Sequence, residues 1–176
     1  MQNEYLELWN TCVSFHGHGC GGLAVGFRAS LYALELLEAE RSVDEEIVCI
    51  AEGDACGVDA IQVLLGCTVG KGNLIFDMQG KNAFSFYNRE NGKSVRLVLR
   101  RTPDKDRDQR LDWLMNGDHH EMFDVKPAPE NVPEKSKIFK TYLCETCREG
   151  VSENYVRVKE GKMVCSRCAH TYTRGL

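Results

Sequence analysis

The sequence predicts an α+β core domain with antiparallel strands and flanking helices, plus a small C-terminal four-cysteine zinc finger of treble-clef or ribbon type. Helical apolar periodicity alternates with short strand-like runs over the first 125 residues, and two C-x-x-C pairs lie near the C-terminus. The chain has 176 residues, of which 43% are hydrophobic and 27% charged. This balance is typical of a folded protein and excludes a disordered chain.

The first third of the chain is predicted to be mainly helical. Apolar residues at helical spacing predict one helix over 3–14 and a second from Leu23 to Leu37, separated by a glycine-rich stretch. The apolar run 46–51 is typical of a strand. A third helix is predicted over 56–65, with Asp54 as its N-terminal cap.

The middle of the chain is predicted to hold antiparallel strands. Strand-like segments cover 73–78, 82–87 and 94–100, and Asn91-Gly92 between the last two is a strong hairpin signal. A further amphipathic helix is predicted over 107–116.

The chain is predicted to divide into two parts with different charge. Residues 126–133 contain three of the four prolines, which indicates a linker. We therefore expect a core over 1–125, a linker over 126–137 and a zinc-finger module over 138–176. From residue 134 onwards, nine Lys or Arg face five acidic residues, so the tail carries +4 and the first 133 residues carry −8.

The C-terminal cysteines form the clearest motif. Cys144 and Cys147 are followed, after a gap of 17 residues, by Cys165 and Cys168. This spacing is typical of structural zinc, because each C-x-x-C turn supplies two thiolates to one tetrahedral ion. His170 is an alternative to one thiolate, although Cys168 is already well spaced.

A second candidate metal site lies where the first two helices are predicted to meet. His16, His18 and Cys20 alternate with glycines. In an extended strand alternate residues are ~6.6–6.8 Å apart, too far for one zinc ion. Glycine reaches positive φ without penalty and could let the chain curl so that the three side chains converge. The alternative is a glycine-rich anion-binding turn with two hydrogen-bonded histidines.

Other polar residues could complete this core site. Cys56, at a strand-to-helix turn, is the first candidate for a remote ligand, and Cys67 is the second. Lys71 lies in a glycine-rich loop that lacks the phosphate-loop spacing but could hold an anion. Cys20, Cys56, His18 and Lys71 are the catalytic candidates, whereas Cys12 and Cys49 fall on apolar faces and are predicted to be packing residues.

One further cluster of polar residues, Asp118 to Glu121, contains two adjacent histidines. Adjacent side chains on a helix diverge, so this cluster is predicted to be a solvated helix end.

The core motifs resemble those of a known family. FHGHGCGGLAVGFRAS at 15–30, AEGDACGVDAIQVLLGCTVGKGNLIF at 51–76 and GKNAFSFYNRENGKSVRL at 80–97 are similar to the FmdE family, whose name comes from its association with molybdenum formylmethanofuran dehydrogenase. Gly21 departs from the proline usual at that position in the family. The resemblance implies an α+β core forming an intertwined homodimer, with motif positions at His16, His18, Cys20, Cys56 and Cys67, and with Lys71 and Asn73 nearby.

The resemblance favours a metal-binding accessory protein or small metalloenzyme of one-carbon metabolism, with a second transition metal, zinc or another, in the core. Subunits of a molybdoenzyme complex are the implied partners. The alternative is a metal sensor or regulator whose basic zinc finger binds protein or nucleic acid. The odd number of cysteines, nine, and the lack of a signal-peptide pattern favour a reducing, cytoplasmic location. No apolar stretch approaches the ~18–20 residues of a membrane span, so no membrane role is expected.

Overall fold

A helix that runs from Gly21 to Leu37, α2, forms the centre of the core because it is apolar on almost every side. Eleven of its 17 residues are buried, among them Leu23, Phe27 and Leu37. The computed structural model describes residues 2–101 and 106–169. The chain divides into two compact units, residues 1–136 and 137–176.

The first unit packs helices against a five-stranded sheet with strand order β2-β1-β3-β4-β5. Strands β1 and β2 are parallel, and the other neighbouring pairs are antiparallel. The other helices are α1 (Gln2–His16), α3 (Gly57–Leu65), α4 (Arg107–Asn116) and α5 (His119–Met122). The strands are β1 (Ile47–Ala51), β2 (Leu74–Phe76), β3 (Ala83–Asn88), β4 (Ser94–Leu99) and β5 (Phe123–Lys126).

Two glycines let α2 and α3 approach closely. A Cβ atom added to Gly26 would lie 1.9 Å from the carbonyl oxygen of Gly57, which no side chain could tolerate. The close crossing brings the N-terminal ends of α2 and α3 together, since Gly22 lies against Cys56. This is the arrangement that builds the core site.

The predicted α+β class with antiparallel strands is confirmed, and the differences are local. Helix α1 continues through His16 instead of ending at residue 14. The prediction that Asp54 caps α3 is wrong, because Cys56 occupies the N-cap position and makes no side-chain capping bond. Strand β5 was missing from the sequence prediction. Its four residues complete the sheet by pairing with β4, a contact that short-range patterns do not reveal.

The proline-rich segment, predicted as a linker, is attached to the first unit. The Tyr87 hydroxyl donates to the carbonyl of Pro129 at 3.0 Å, and the Arg89 guanidinium donates to that of Pro133 at 2.7 Å. Ser136 donates its backbone N–H to the Glu45 carboxylate. These bonds explain why the first unit extends to residue 136 and not to 125.

The second unit consists of two small hairpins and a short helix. Strands β6 (Thr141–Leu143) and β7 (Gly150–Ser152) pair with each other, as do β8 (Val156–Lys159) and β9 (Lys162–Cys165), and α6 (Ser166–Ala169) follows. Glu160 and Gly161 both have positive φ, as a tight hairpin turn between β8 and β9 requires. His170 lies outside the described residues.

None of the helices in the described part of the chain has both the length and the apolar character needed to cross a bilayer.

Candidate metal centre

The core site forms where α1 ends and α2 begins. His16 occupies the last turn of α1, and Cys20 is the N-cap residue of α2. Gly17, with φ of +95°, reverses the chain between them. One ligand atom each from His16, His18 and Cys20 lies within 4.8 Å of the others. The curled glycine-rich turn therefore brings together the three side chains that an extended strand would separate.

The orientation of His16 is fixed from outside the cluster. Its Nδ1 lies 2.7 Å from Oδ2 of Asp59, while its Nε2 lies 3.8 Å from Sγ of Cys20. Gln62 donates to the other oxygen of Asp59 at 3.2 Å. When Nδ1 carries the proton and donates to Asp59, the lone pair of Nε2 faces the cluster. A carboxylate in this position commonly orients a metal-binding histidine.

Asp59 and Gln62 support this candidate site and were not indicated by the sequence motif. Both lie on α3, three and six residues after Cys56, in the stretch G-D-A-C-G-V-D-A-I-Q. The i, i+3 spacing places them on the same side of the helix as Cys56. That spacing was the available signal, but only the α1–α3 contact shows that Asp59 reaches His16.

The thiol of Cys20 lies at the N-terminal end of α2. Its sulphur accepts a hydrogen bond from the backbone N–H of Leu23 at 3.3 Å. This bond positions the sulphur beside Nε2 of His16, and a thiolate is the form of cysteine that would bind a metal ion.

Cys56 lies beside Cys20 but does not belong to the cluster of three. Among the described residues, the set with ligand atoms mutually within 4.8 Å contains His16, His18 and Cys20 alone from this region. Burial, followed by the neighbouring Cys20 thiol, raises the pKa of Cys56. All nine cysteines are free thiols, so these two are not a disulfide.

Three other candidates from the sequence lie elsewhere. Cys67 is fully buried, donates its S–H to the carbonyl of Ile47 at 3.4 Å, and has its pKa raised to about 12 by burial. Lys71 donates through Nζ to the carbonyls of Val43 and Asp44, at 3.2 and 2.6 Å. Asn73, in the same loop, donates through its side-chain amide to the carbonyls of Asp44, Ile47 and Gly66. These contacts brace the 42–47 turn, and none of them involves His16 or His18.

The four C-terminal cysteines converge as predicted. One sulphur from each of Cys144, Cys147, Cys165 and Cys168 lies within 4.8 Å of the others. Hydrogen bonds from the backbone N–H groups of Cys147 and Cys165 lower the pKa of Cys144 to about 6. In contrast, the side chain of Cys165 and, after it, burial raise the pKa of Cys168 to about 12. Four crowded thiols cannot all ionise without a cation, so this cluster could bind a metal ion such as zinc.

The sequence predicts that the side chains of His119 and His120 diverge, and the structure corrects this prediction. Asp118 does cap α5, accepting from the N–H of His120 at 2.9 Å. The rings of His119 and His120 do not diverge, however, but lie 4.5 Å apart between their centroids. Burial, with Arg28 and His120 nearby, lowers the pKa of His119, so its imidazole is neutral at neutral pH.

A groove of about 430 Å³ adjoins the core site. It is lined by Thr11, Phe15, Arg41, Gln62, Val63 and Thr68. Phe15 directly precedes His16 and is 58% exposed, and Gln62 is the residue that donates to Asp59. The groove therefore shares two neighbours with the candidate metal ligands.

Comparisons with known proteins agree with this architecture. The family model described as "FmdE, Molybdenum formylmethanofuran dehydrogenase operon" matches residues 15–143. A relative from Archaeoglobus fulgidus, named "Probable S-adenosyl-L-methionine-binding protein", is 31% identical over 97% of this chain and 55% of its own length. The chain thus spans about half the length of that curated relative.

A solved structure also matches most of the chain. It is that of a tungsten formylmethanofuran dehydrogenase FmdE-like protein from Syntrophus aciditrophicus, with a TM-score of 0.69 and 26% sequence identity. The match covers 93% of this chain and 91% of the solved one.

Proposed function

This chain belongs to the FmdE family, and from that premise we propose that its first unit binds a catalytic or regulatory transition-metal ion through His16, His18 and Cys20. The observation that supports this proposal best is the contact between His16 and Asp59, at 2.7 Å, which leaves Nε2 of His16 facing Cys20. Imidazole and thiolate ligands suit Zn²⁺ and neighbouring transition metals and do not suit Mg²⁺ or Ca²⁺.

Three ligands leave a coordination position free for a fourth group. Cys56, beside Cys20, is the nearest protein thiol and would close the site if it rotated inward. With Cys56 outside the site, a metal ion held by the three ligands would keep an open position and would act as a Lewis acid towards a bound molecule. Asp59 holds the His16 ring in place, and the backbone N–H of Leu23 holds the sulphur of Cys20 at the start of α2.

The adjoining groove favours a small organic ligand as a second function. Its volume, about 430 Å³, lies in the usual range for ligand sites, and its lining combines an exposed aromatic ring with hydroxyl, amide and guanidinium groups. The name of the Archaeoglobus relative suggests S-adenosyl-L-methionine as the first compound to test. Calorimetric binding of this compound, lost in Phe15→Ala and retained in Val43→Ala, would support the assignment; Val43 is exposed outside the groove.

The family description supports a role in one-carbon metabolism, as an accessory protein of a formylmethanofuran dehydrogenase-type molybdoenzyme. A homodimer and contacts with subunits of that enzyme belong to this proposal. The alternative function is that of a regulator. In this case the zinc finger contacts a nucleic acid or a regulatory protein, and the net charge of +4 on the tail motivates it. Nucleic-acid binding would weaken steeply with salt, whereas docking to an enzyme subunit would depend less on ionic strength.

The decisive experiment counts tightly bound metal in the full chain after desalting. We expect two ions per chain, and one in His18→Ala and Cys20→Ser, because these variants leave the C-terminal cluster intact. Cys12→Ala removes a thiol from the same region outside the cluster and should retain both ions. Unchanged metal content in His18→Ala and Cys20→Ser would refute a core metal site.

A further inference from the structure

The first unit contains another group of potential metal ligands, on the side chains of α2 and α5. Nε2 of His119 lies 3.1 Å from one oxygen of Glu35, and Nε2 of His120 lies 4.0 Å from the other. One ligand atom from each of the three residues falls within 4.8 Å of the other two. We propose that Glu35, His119 and His120 form an exchangeable site for a divalent transition-metal ion such as Zn²⁺, Ni²⁺ or Cu²⁺, in addition to the core cluster and the C-terminal cysteines.

The neighbouring Tyr32 holds both imidazole rings in a geometry suited to metal binding. Its hydroxyl lies 3.0 Å from Nδ1 of His120, and its ring packs on the His119 ring at 4.5 Å between centroids. With Nδ1 of His120 engaged, Nε2 is the nitrogen left to face Glu35. Tyr32 is itself buried and precedes Glu35 by three residues on α2, so it is a rigid support for the cluster.

The distances fit a metal ion after a small movement of one side chain. Nitrogen and oxygen ligands around tetrahedral zinc are separated by ~3.3–3.6 Å, as follows from metal–ligand bonds of ~2.0–2.2 Å. The present separations of 3.1 and 4.0 Å bracket that range. Glu35 is 54% exposed in its side chain and can rotate, whereas the two rings are held by Tyr32.

The donor set determines which ions the site would accept. Two imidazoles and one carboxylate favour Zn²⁺, Ni²⁺ and Cu²⁺ over the hard ions Mg²⁺ and Ca²⁺. With three protein ligands the site would be open to solvent, so we expect binding that is weaker and faster to exchange than at the cysteine clusters. A metal here would join α5 to α2.

A simpler alternative is that Glu35 only forms surface ion pairs with the two histidines. Such surface pairs contribute little to stability and require protonated imidazoles, which acid favours. A metal site behaves in the opposite way, because the ion competes with protons for the same nitrogen atoms.

The test uses the full chain with its tightly bound metals in place, to which Zn²⁺ is then added at pH 7.5. We expect one additional ion by calorimetry, together with shifts of the His119 and His120 ring signals in ¹⁵N NMR. Glu35→Gln should weaken this binding by about tenfold or more. Glu121→Gln removes a carboxylate from the same short helix, outside the cluster, and should leave the affinity unchanged.

Equal affinity in Glu35→Gln and Glu121→Gln, or no additional binding at all, would overturn this site. If the site exists, His119→Gln should also abolish binding of the additional ion. Circular dichroism shows whether this variant is folded. The result is independent of the core site, because His18→Ala should retain the additional ion. A failure of the core-site proposal would instead be seen as unchanged tightly bound metal in His18→Ala, whatever the result for the added Zn²⁺.

Discussion

Oδ2 of Asp59 lies 2.7 Å from Nδ1 of His16, and this contact joins the first turn of α3 to the last turn of α1. A proton on Nδ1 of His16 would be donated to Asp59, which would leave Nε2 free for a metal ion. His16 and Asp59 are 43 residues apart in the sequence. The geometry of the site thus depends on the packing of helices and not on the local motif alone.

Replacing Asp59 by Asn should weaken metal binding at the core site by about 10- to 100-fold, because the neutral amide no longer orients and polarises His16. Competition with a coloured chelator measures this affinity. Asp54→Asn is the matched control, since Asp54 is exposed and does not cap α3. If both variants bind metal as tightly as the wild type, Asp59 has no role in the site.

Asn73 should matter for stability and not for metal binding. Its amide donates to the carbonyls of Asp44, Ile47 and Gly66 and accepts from the N–H of Thr68, all within 3.3 Å. Asn73→Ala should lower the free energy of unfolding by about 2 kcal/mol or more, because buried groups lose their partners. Urea denaturation measures this loss.

Lys71→Met provides a test of the anion-binding idea in the same loop. Lys71 is more exposed than Asn73 and bonds only backbone carbonyls, so the variant should lose less than about 1 kcal/mol. Metal affinity should remain within twofold of the wild type in both variants. A large loss of metal or ligand binding in Lys71→Met would restore Lys71 as a functional residue.

Glu46 should make stability depend on pH at the acidic end. The Ser42 hydroxyl and the N–H of Asp44 donate to its carboxylate at 2.6 and 2.8 Å, and the pKa falls from an ordinary 4.5 to about 2. Because the folded-state pKa is depressed, the stabilisation is complete above pH 4.5 and is lost as pH falls towards 2.

Urea midpoints at pH 6 and pH 3 test this dependence. The wild type should be more stable than Glu46→Gln at pH 6, and the difference should shrink at pH 3. Both proteins lose bound metal in acid, so the difference between them isolates the carboxylate. Glu90→Gln changes an exposed residue and should follow the wild type at both pH values. A constant difference between wild type and Glu46→Gln would contradict the expected linkage.

Gly26→Ala should destabilise the first unit by at least about 2 kcal/mol. The added Cβ meets the Gly57 carbonyl at 1.9 Å, so α2 and α3 must separate, and this strain exceeds the gain of ~1 kcal/mol in helix propensity. Gly70→Ala, whose Cβ would enter open space, should change stability by less than ~0.5 kcal/mol. Thermal unfolding of the two variants decides between these outcomes.

Removal of metal should unfold the second unit before the first. Cys144 and Val164 are the buried apolar residues among its described positions, which is too small a core for stability without metal. With a strong chelator, limited proteolysis should remove the tail while the first unit resists cleavage. Cys147→Ser should show the same pattern without a chelator. A tail that stays protected in both cases would mean that metal does not support its fold.

The sequence by itself was sufficient for the features that depend on neighbours along the chain. The spacing of Cys144, Cys147, Cys165 and Cys168 predicted their convergence, because each pair lies within one tight turn. Convergence of the two histidines and the cysteine in the glycine-rich turn was one of two predicted alternatives, and Gly17 allows the chain reversal that brings them together. Alternation of apolar residues likewise predicted β3 and β4 and their hairpin.

Only the tertiary structure could decide which distant residues support those motifs. Asp59 reaches His16 because Gly26 and Gly57 allow α2 and α3 to cross closely. The Lys71 ammonium bonds to backbone carbonyls, and His119 meets Glu35 although 84 residues separate them in the sequence. Side-chain direction across a helix crossing is set by packing of the whole core, which local periodicity does not encode. The clustered histidine and cysteine residues could therefore be identified from the sequence, whereas the residues that orient them could not.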